Sequence, residues 1–243
     1  MKLQWQHPRI QSLITTRNGG FSAGSFASLN LGLHVGDDAQ LVQLNRQKLR
    51  QRLPSDPVWL NQVHGTHIHV VADAQQGLAP TADACVTNQP GTVLMIMTAD
   101  CLPVLFATQD GTVIGAAHAG WRGLLAGVLE QTIQAMRFLS PGGVIECHYG
   151  PAIGPNQFEV SADVRDAFVD HDRANASAFV ARQGTEQPKW LADICRLATL
   201  RLSKVDVICL DQTAPCTVTE PNRWFSYRRD GKTGRMASCL WIG

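Results

Sequence analysis

Two imidazoles and one thiol stand out in this sequence, because each sits where an apolar run gives way to a short polar or glycine turn. VWLNQVHG carries His64, TVLMIMTADCLP carries Cys101 and TVIGAAHAGWRG carries His118. Strand ends that meet in a crevice are a common way to assemble a site from distant residues. Together the three form a set of two nitrogen ligands and one sulfur ligand. Zinc accepts such a set and keeps a fourth position for water or substrate. The spacings are long range and fit no local zinc-finger pattern. Taken singly, each residue has an ordinary explanation: a histidine hydrogen-bonded beside a strand, or a cysteine used for packing. A different chemistry makes Cys101 and His118 the nucleophile and base of a cysteine hydrolase. That reading leaves His64 without a role.

Charged groups near these turns extend the candidate site. Asp100 precedes Cys101 and is a candidate acid, base or orienting group. Arg122, in AHAGWRG, stands at an expected helix start. Unpaired N–H groups there favour an anion such as phosphate, although Gly120 and Gly123 equally suit tight packing alone. Arg17 in TTRNGG and Arg228 and Arg229 in SYRRDG lie where strands meet loops. They are candidates for phosphate or sugar contacts, and surface ion pairs explain them equally well. His67 and His69 alternate in THIHVV and share one strand face. His34 lies in a loop of unknown orientation, and His7, His148 and His171 suggest no partner. Met95 and Met97 precede Cys101, so a copper held by two histidines, the cysteine and an axial methionine is a rival. The strand TVLMIMT accounts for both methionines as core.

These residues need elements to hold them. Leu41, Leu44 and Leu49 predict a helix over 38–52. Apolar runs predict strands at Leu13–Thr16, Val58–Leu60, Thr66–Val71, Ala84–Thr87, Thr92–Thr98, Pro103–Ala107, Thr112–Ala117, Val144–Tyr149 and Val205–Leu210. A helix is expected from Gly123 to the stop at Ser140-Pro141-Gly142, and another from Ala162 to Val169 behind Ser161. Pro188 is expected to open a further helix with Leu191, Ile194, Leu197, Ala198 and Leu202 on one face. The tail reads as a β-hairpin around Asp230-Gly231 or Thr233-Gly234. Strands outnumber helices and are interspersed with them, which predicts one α/β or α+β domain over 1–243, with mixed sheets covered by helices. No GxGxxG fingerprint or P-loop occurs.

Composition narrows the function. The chain has 243 residues, 44% apolar and 17% charged, long enough for a full core and too apolar for disorder. Lys and Arg number 21 against 20 Asp and Glu, without the basic excess or stripe expected of a nucleic-acid binder. No apolar stretch reaches the roughly 18 residues of a membrane span. MKLQWQHPRI has no apolar region of a secretory signal. With seven cysteines and no CxxC, a reduced, cytoplasmic protein is expected.

The motifs NQVHG, TADCLPVLF, AAHAGWRG, GPAIGP, FEV and FSYRRDGKTGRMAS together resemble one family. It comprises the purine nucleoside phosphorylases once described as multicopper polyphenol oxidases, or laccase-domain proteins, and the resemblance covers nearly the whole chain. It implies a three-layer α/β/α fold with mixed sheets. It implies zinc on His64, Cys101 and His118, and phosphorolysis of adenosine and inosine to free base and ribose 1-phosphate. Methylthioadenosine cleavage and adenosine deamination are also attributed to the family, and some members are described as peptidoglycan editing factors. A four-copper oxidase needs more histidine ligands than the eight His of this chain. The deaminases with HxE and PCxxC signatures are excluded, since Ala-Gly follows His118 and Cys216 lacks a second Cys three residues on. The expected partners are purine nucleosides and phosphate, with no nucleic acid or membrane, and the chain is expected to act as a monomer.

Overall fold

The apolar runs assemble into two sheets laid face to face, with helices on the outside. The computed structural model describes residues 1–72, 78–184 and 187–243. In chain order the strands begin with β1 (Ile10–Ile14), β2 (Pro57–Val58), β3 (Ile68–Val70), β4 (Ala84–Thr87), β5 (Val93–Thr98) and β6 (Leu102–Thr108). They continue with β7 (Ile114–Ala119), β8 (Ile145–Tyr149), β9 (Glu159–Ser161), β10 (Phe179–Arg182), β11 (Lys189–Ala192), β12 (Val207–Cys209) and β13 (Met236–Ile242). The helices are α1 (Ala39–Arg50), α2 (Trp121–Ala126), α3 (Val128–Leu139), α4 (Ala162–His171), α5 (Ile194–Leu202) and α6 (Tyr227–Asp230).

A four-stranded sheet has the order β1-β13-β5-β2 and a six-stranded sheet the order β12-β8-β6-β7-β4-β3. Both mix parallel and antiparallel pairs. Alternation along the strands explains the layering. On β5, Leu94 and Ile96 meet Leu105, Ile114 and Ala116 of the other sheet. Its alternate residues Val93, Met95 and Met97 pack with Leu49 of α1 and with Leu53. Across the six-stranded sheet, Ala117 and Ala119 turn toward Leu124, Leu129 and Ile133 of α2 and α3. The α/β/α fold with mixed sheets is therefore present, and its β layer is double. Met95 and Met97 sit in the α1 layer of the core, as the strand reading expects, and Met97 also reaches the wall of a cavity that Cys101 lines.

Several elements differ from the sequence expectation. The helix expected from Gly123 is two helices, α2 starting at Trp121 and α3 after it. Gly127, with φ +99°, breaks them apart in the left-handed region that favours glycine. Residues 189–192 are not the first turn of a helix. They form β11, paired with β10 and β9 in a three-stranded sheet. The helix starts only at Ile194, behind Asp193, whose carboxylate accepts from Arg196 N at 2.9 Å. The expected tail hairpin is absent among the described residues. Ser226 Oγ instead accepts from Arg229 N at 3.2 Å and caps α6. The strand that follows, β13, pairs with distant β1 and β5. A local turn signal at 230–234 could not reveal those partners.

Candidate metal centre and its cavity

Each of the three candidate ligands is placed by a different element or loop. His118 lies inside β7, opposite Pro103 of β6, and is 3% exposed. Cys101 stands between β5 and β6, just after Asp100, whose φ is +94°. His64 sits in the loop before β3 with φ +61°. This unusual conformation is held by one carboxylate: Val63, His64 and Gly65 all donate their backbone N–H groups to Asp83, at 3.2, 2.8 and 2.7 Å. The same Asp83 lies 2.8 Å from Nδ1 of His118. An N–H donated there leaves Nε2 of His118 free to act as a ligand.

The three donor atoms lie within 4.8 Å of one another. Cys101 Sγ is 3.7 Å from His64 Nε2, and the two imidazole rings are 4.6 Å apart, near edge-on. Zinc–nitrogen and zinc–sulfur bonds of usual length at a tetrahedral angle separate the two donors by about 3.6 Å, so the donor set fits a metal ion. Gly120 completes the cradle. A Cβ there would lie 2.7 Å from His64 Cδ2 and 3.2 Å from Cys101 Sγ.

Without metal, the cluster is an ion pair. Burial opposes the Cys101 thiolate, but His118 and His64 outweigh it and bring the thiol down to about 6. Burial likewise opposes charge on His118, and the Cys101 thiolate and Asp83 raise it to about 9. Burial also works against the Asp83 anion. The His118, Gly65 and His64 hydrogen bonds win and hold its carboxyl below the ordinary value.

The cluster opens into a cavity of about 640 Å³. Asp100, Arg122 and Arg228 line it together with His64, Cys101 and His118. Both oxygens of Asp100 are engaged: one accepts from Thr217 Oγ1 and the other from Arg228 N at 2.6 Å. That engagement favours the orienting half of the expectation for Asp100 over proton transfer. Arg122 stacks on Trp121 at 4.5 Å. Because α2 has only six residues, the guanidinium offers more to an anion than the helix start does. Arg17 is not on the cavity wall. Its guanidinium donates to the carbonyls of Ala27 and Pro221 at 2.8 and 2.9 Å and covers Phe225. Arg229 likewise donates to the carbonyls of Thr217, Val218 and Trp224.

The sequence reading missed Asp83 and Arg235 and left His34 without an orientation. The signal for Asp83 was a carboxylate enclosed by alanines in TADAC, at the start of a buried strand. Arg235 and His34 both line the cavity. Burial lowers the pKa of Arg235 while Cys101 and Asp100 raise it; burial and then Arg235 lower that of His34. His148 is engaged elsewhere, between Asp211 and the carbonyl of Gln4.

Residues 11–243 match the family model described as multi-copper polyphenol oxidoreductase laccase. The chain is 48% identical over 242 residues to purine nucleoside phosphorylase YfiH of Escherichia coli, spanning 98% of this chain and 97% of that protein. It is 46% identical over 239 residues to a purine nucleoside phosphorylase of Pseudomonas aeruginosa, spanning 98% and 96%. Among solved structures, Neisseria meningitidis protein NMB0706 superposes with a TM-score of 0.88 at 44% identity, covering 100% of this chain and 98% of that one.

Proposed function

The chain belongs to the family of the multi-copper polyphenol oxidoreductase laccase model, and on that premise we propose that it is a zinc-dependent purine nucleoside phosphorylase. Residues 1–243 act as one such domain, cleaving adenosine, inosine and methylthioadenosine to free base and sugar 1-phosphate. Adenosine deamination is a side activity of the same cavity. The observation that carries the reading is the meeting of His64, Cys101 and His118 at the wall of a cavity that also presents Arg122, Arg228 and Arg235.

The three donors would hold zinc, which supplies Lewis-acid stabilisation of negative charge on the departing group. The arginines bind the phosphate nucleophile and keep it beside the anomeric carbon. A bound dianion also stabilises the oxocarbenium-like charge that develops there. Trp121 and Phe158, both on the cavity wall, offer aromatic faces to a purine. Asp100 orients, because its carboxylate joins the Thr217 loop to the Arg228 turn. Asp83 sets the two imidazoles.

Zinc is the metal we propose for the site. Its known tolerance of two nitrogens and one sulfur suits this donor set, and Met95, one of the two candidate axial methionines, is packed in the core. A cysteine hydrolase would use the Cys101–His118 pair alone and leave His64 unexplained. All seven cysteines are free, which supports a cytoplasmic setting. No helix among the described residues is long and apolar enough to cross a membrane. The test is a nucleoside panel incubated with and without phosphate and read by chromatography and phosphorus NMR. Free base with sugar 1-phosphate, only when phosphate is present, is expected. Free base with free ribose would make the enzyme a hydrolase instead.

A further inference from the structure

Cys147 on β8 and Cys209 on β12 lie in direct register across a parallel strand pair, away from the residues that line the metal-centre cavity. Neighbouring strands run about 4.8 Å apart and register partners project to the same face. That spacing falls within the Cα separation of about 4.4–6.8 Å that a disulfide bridges. The two sulfurs already lie 3.4 Å apart.

Their surroundings are unequal. Cys147 is fully buried, and the hydrogen bond to Cys209, together with burial, raises its pKa well above the ordinary value. Cys209 ends the edge strand of the six-stranded sheet and is half-buried. The Cys147 thiol and the Tyr149 hydroxyl converge on its sulfur at 3.4 and 3.5 Å. The bond from Cys147, opposed by burial and aided by Tyr149 and Thr199, brings its thiol down to about 7. Cys85, Cys195 and Cys239 contrast with it, since burial pushes all three up to about 12.

We propose that Cys209 and Cys147 form a dithiol modification site for hydroperoxides, in which Cys209 is oxidised first and Cys147 closes a disulfide onto it. The Cys209 thiolate attacks the peroxide, so an S–O bond forms and the O–O bond breaks. The sulfur loses two electrons to the peroxide, which leaves as water or an alcohol, and Cys209 becomes a sulfenic acid. The Cys147 sulfur then attacks the Cys209 sulfur. The S–S bond forms, the S–O bond breaks, and the oxygen departs as water carrying the Cys147 proton. Two thiols and one hydroperoxide thus give one disulfide, one water, and a second water or an alcohol. A thiol reductant reverses the bond by exchange. This site stands independently of the phosphorylase reading.

The test exposes reduced full-length protein to an equimolar amount of hydrogen peroxide. The sample is then alkylated, digested without reduction and mapped by mass spectrometry. A Cys147–Cys209 cross-link is expected, cleaved by dithiothreitol. It should form about ten-fold or more faster than oxidation of Cys85, Cys195 or Cys239, whose thiolates are scarcer. In Cys147→Ser, dimedone should trap the Cys209 sulfenic acid. The proposal is overturned if wild-type Cys209 is recovered as an alkylated thiol. It is equally overturned if Cys209 advances to sulfinic acid while Cys147 remains alkylated.

Discussion

Asp83 ties the candidate site together at the scale of single residues. One fully buried carboxylate holds three N–H groups of the His64 loop and Nδ1 of His118. Asp83→Asn would keep the size and lose both the charge and one acceptor face. Zinc affinity, measured by competition with a chromogenic chelator, should fall about 10- to 100-fold. Unchanged affinity would remove Asp83 from the site. The Cys101–His118 pair carries a pH signature in the metal-free protein. Cys101 is depressed from 9.0 to about 6, so its contribution to stability is lost as pH falls through about 6. His118 is raised from 6.5 to about 9, so its contribution is lost as pH rises through about 9. Thiolate and imidazolium therefore coexist between these limits. The ultraviolet thiolate absorbance of wild type minus Cys101→Ala should titrate near pH 6, and a midpoint near 9 would contradict the pair. His64, Cys101 and His118 were legible because each ends an apolar run. Asp83 was not, because its role exists only once residues 63–65 and 118 come together around it.

Glycines at the ends of elements decide how closely the site can close. Gly120 lies between β7 and α2, where any side chain would press on His64 and Cys101. Gly120→Ala should displace the His64 ring and weaken zinc about ten-fold or more. The melting temperature should fall by only a few degrees, about 2–4 °C per kcal/mol for a chain of this size. Full zinc affinity in a folded Gly120→Ala variant would show that the cradle is not needed. Elements with a strong period were readable in advance. Val128, Leu129, Thr132, Ile133 and Met136 mark the buried face of α3, and VLMIMT marks buried β5. What escaped were elements fixed by remote partners. Leu191 fits a helical face in sequence, yet it pairs with Glu159 of β9. Met236–Ile242 gains its strand partners from two remote segments, at 10–14 and 94–98.

Taken as a whole, the molecule carries its candidate metal-centre cavity with little net charge, the formal value being only +1. On the proposed phosphorylase reading, phosphate is recognised locally. Arg122→Ala should raise the KM for phosphate about 10- to 150-fold, the equivalent of losing one charge-assisted contact of about 1.5–3 kcal/mol. Arg17→Ala should leave that KM within about two-fold while lowering stability, since its guanidinium serves the carbonyls of Ala27 and Pro221. Equal effects from both arginines would separate phosphate binding from the cavity. The most direct test of the whole account is a zinc titration of chelator-stripped protein with adenosine and phosphate present. Adenine release should rise with added zinc to a plateau near one ion per chain, as a single donor cluster of His64, Cys101 and His118 requires. It should stay at zero without phosphate and in Cys101→Ala. Full-rate adenine release by the stripped wild type, or none from the fully loaded wild type at any phosphate concentration, would contradict it.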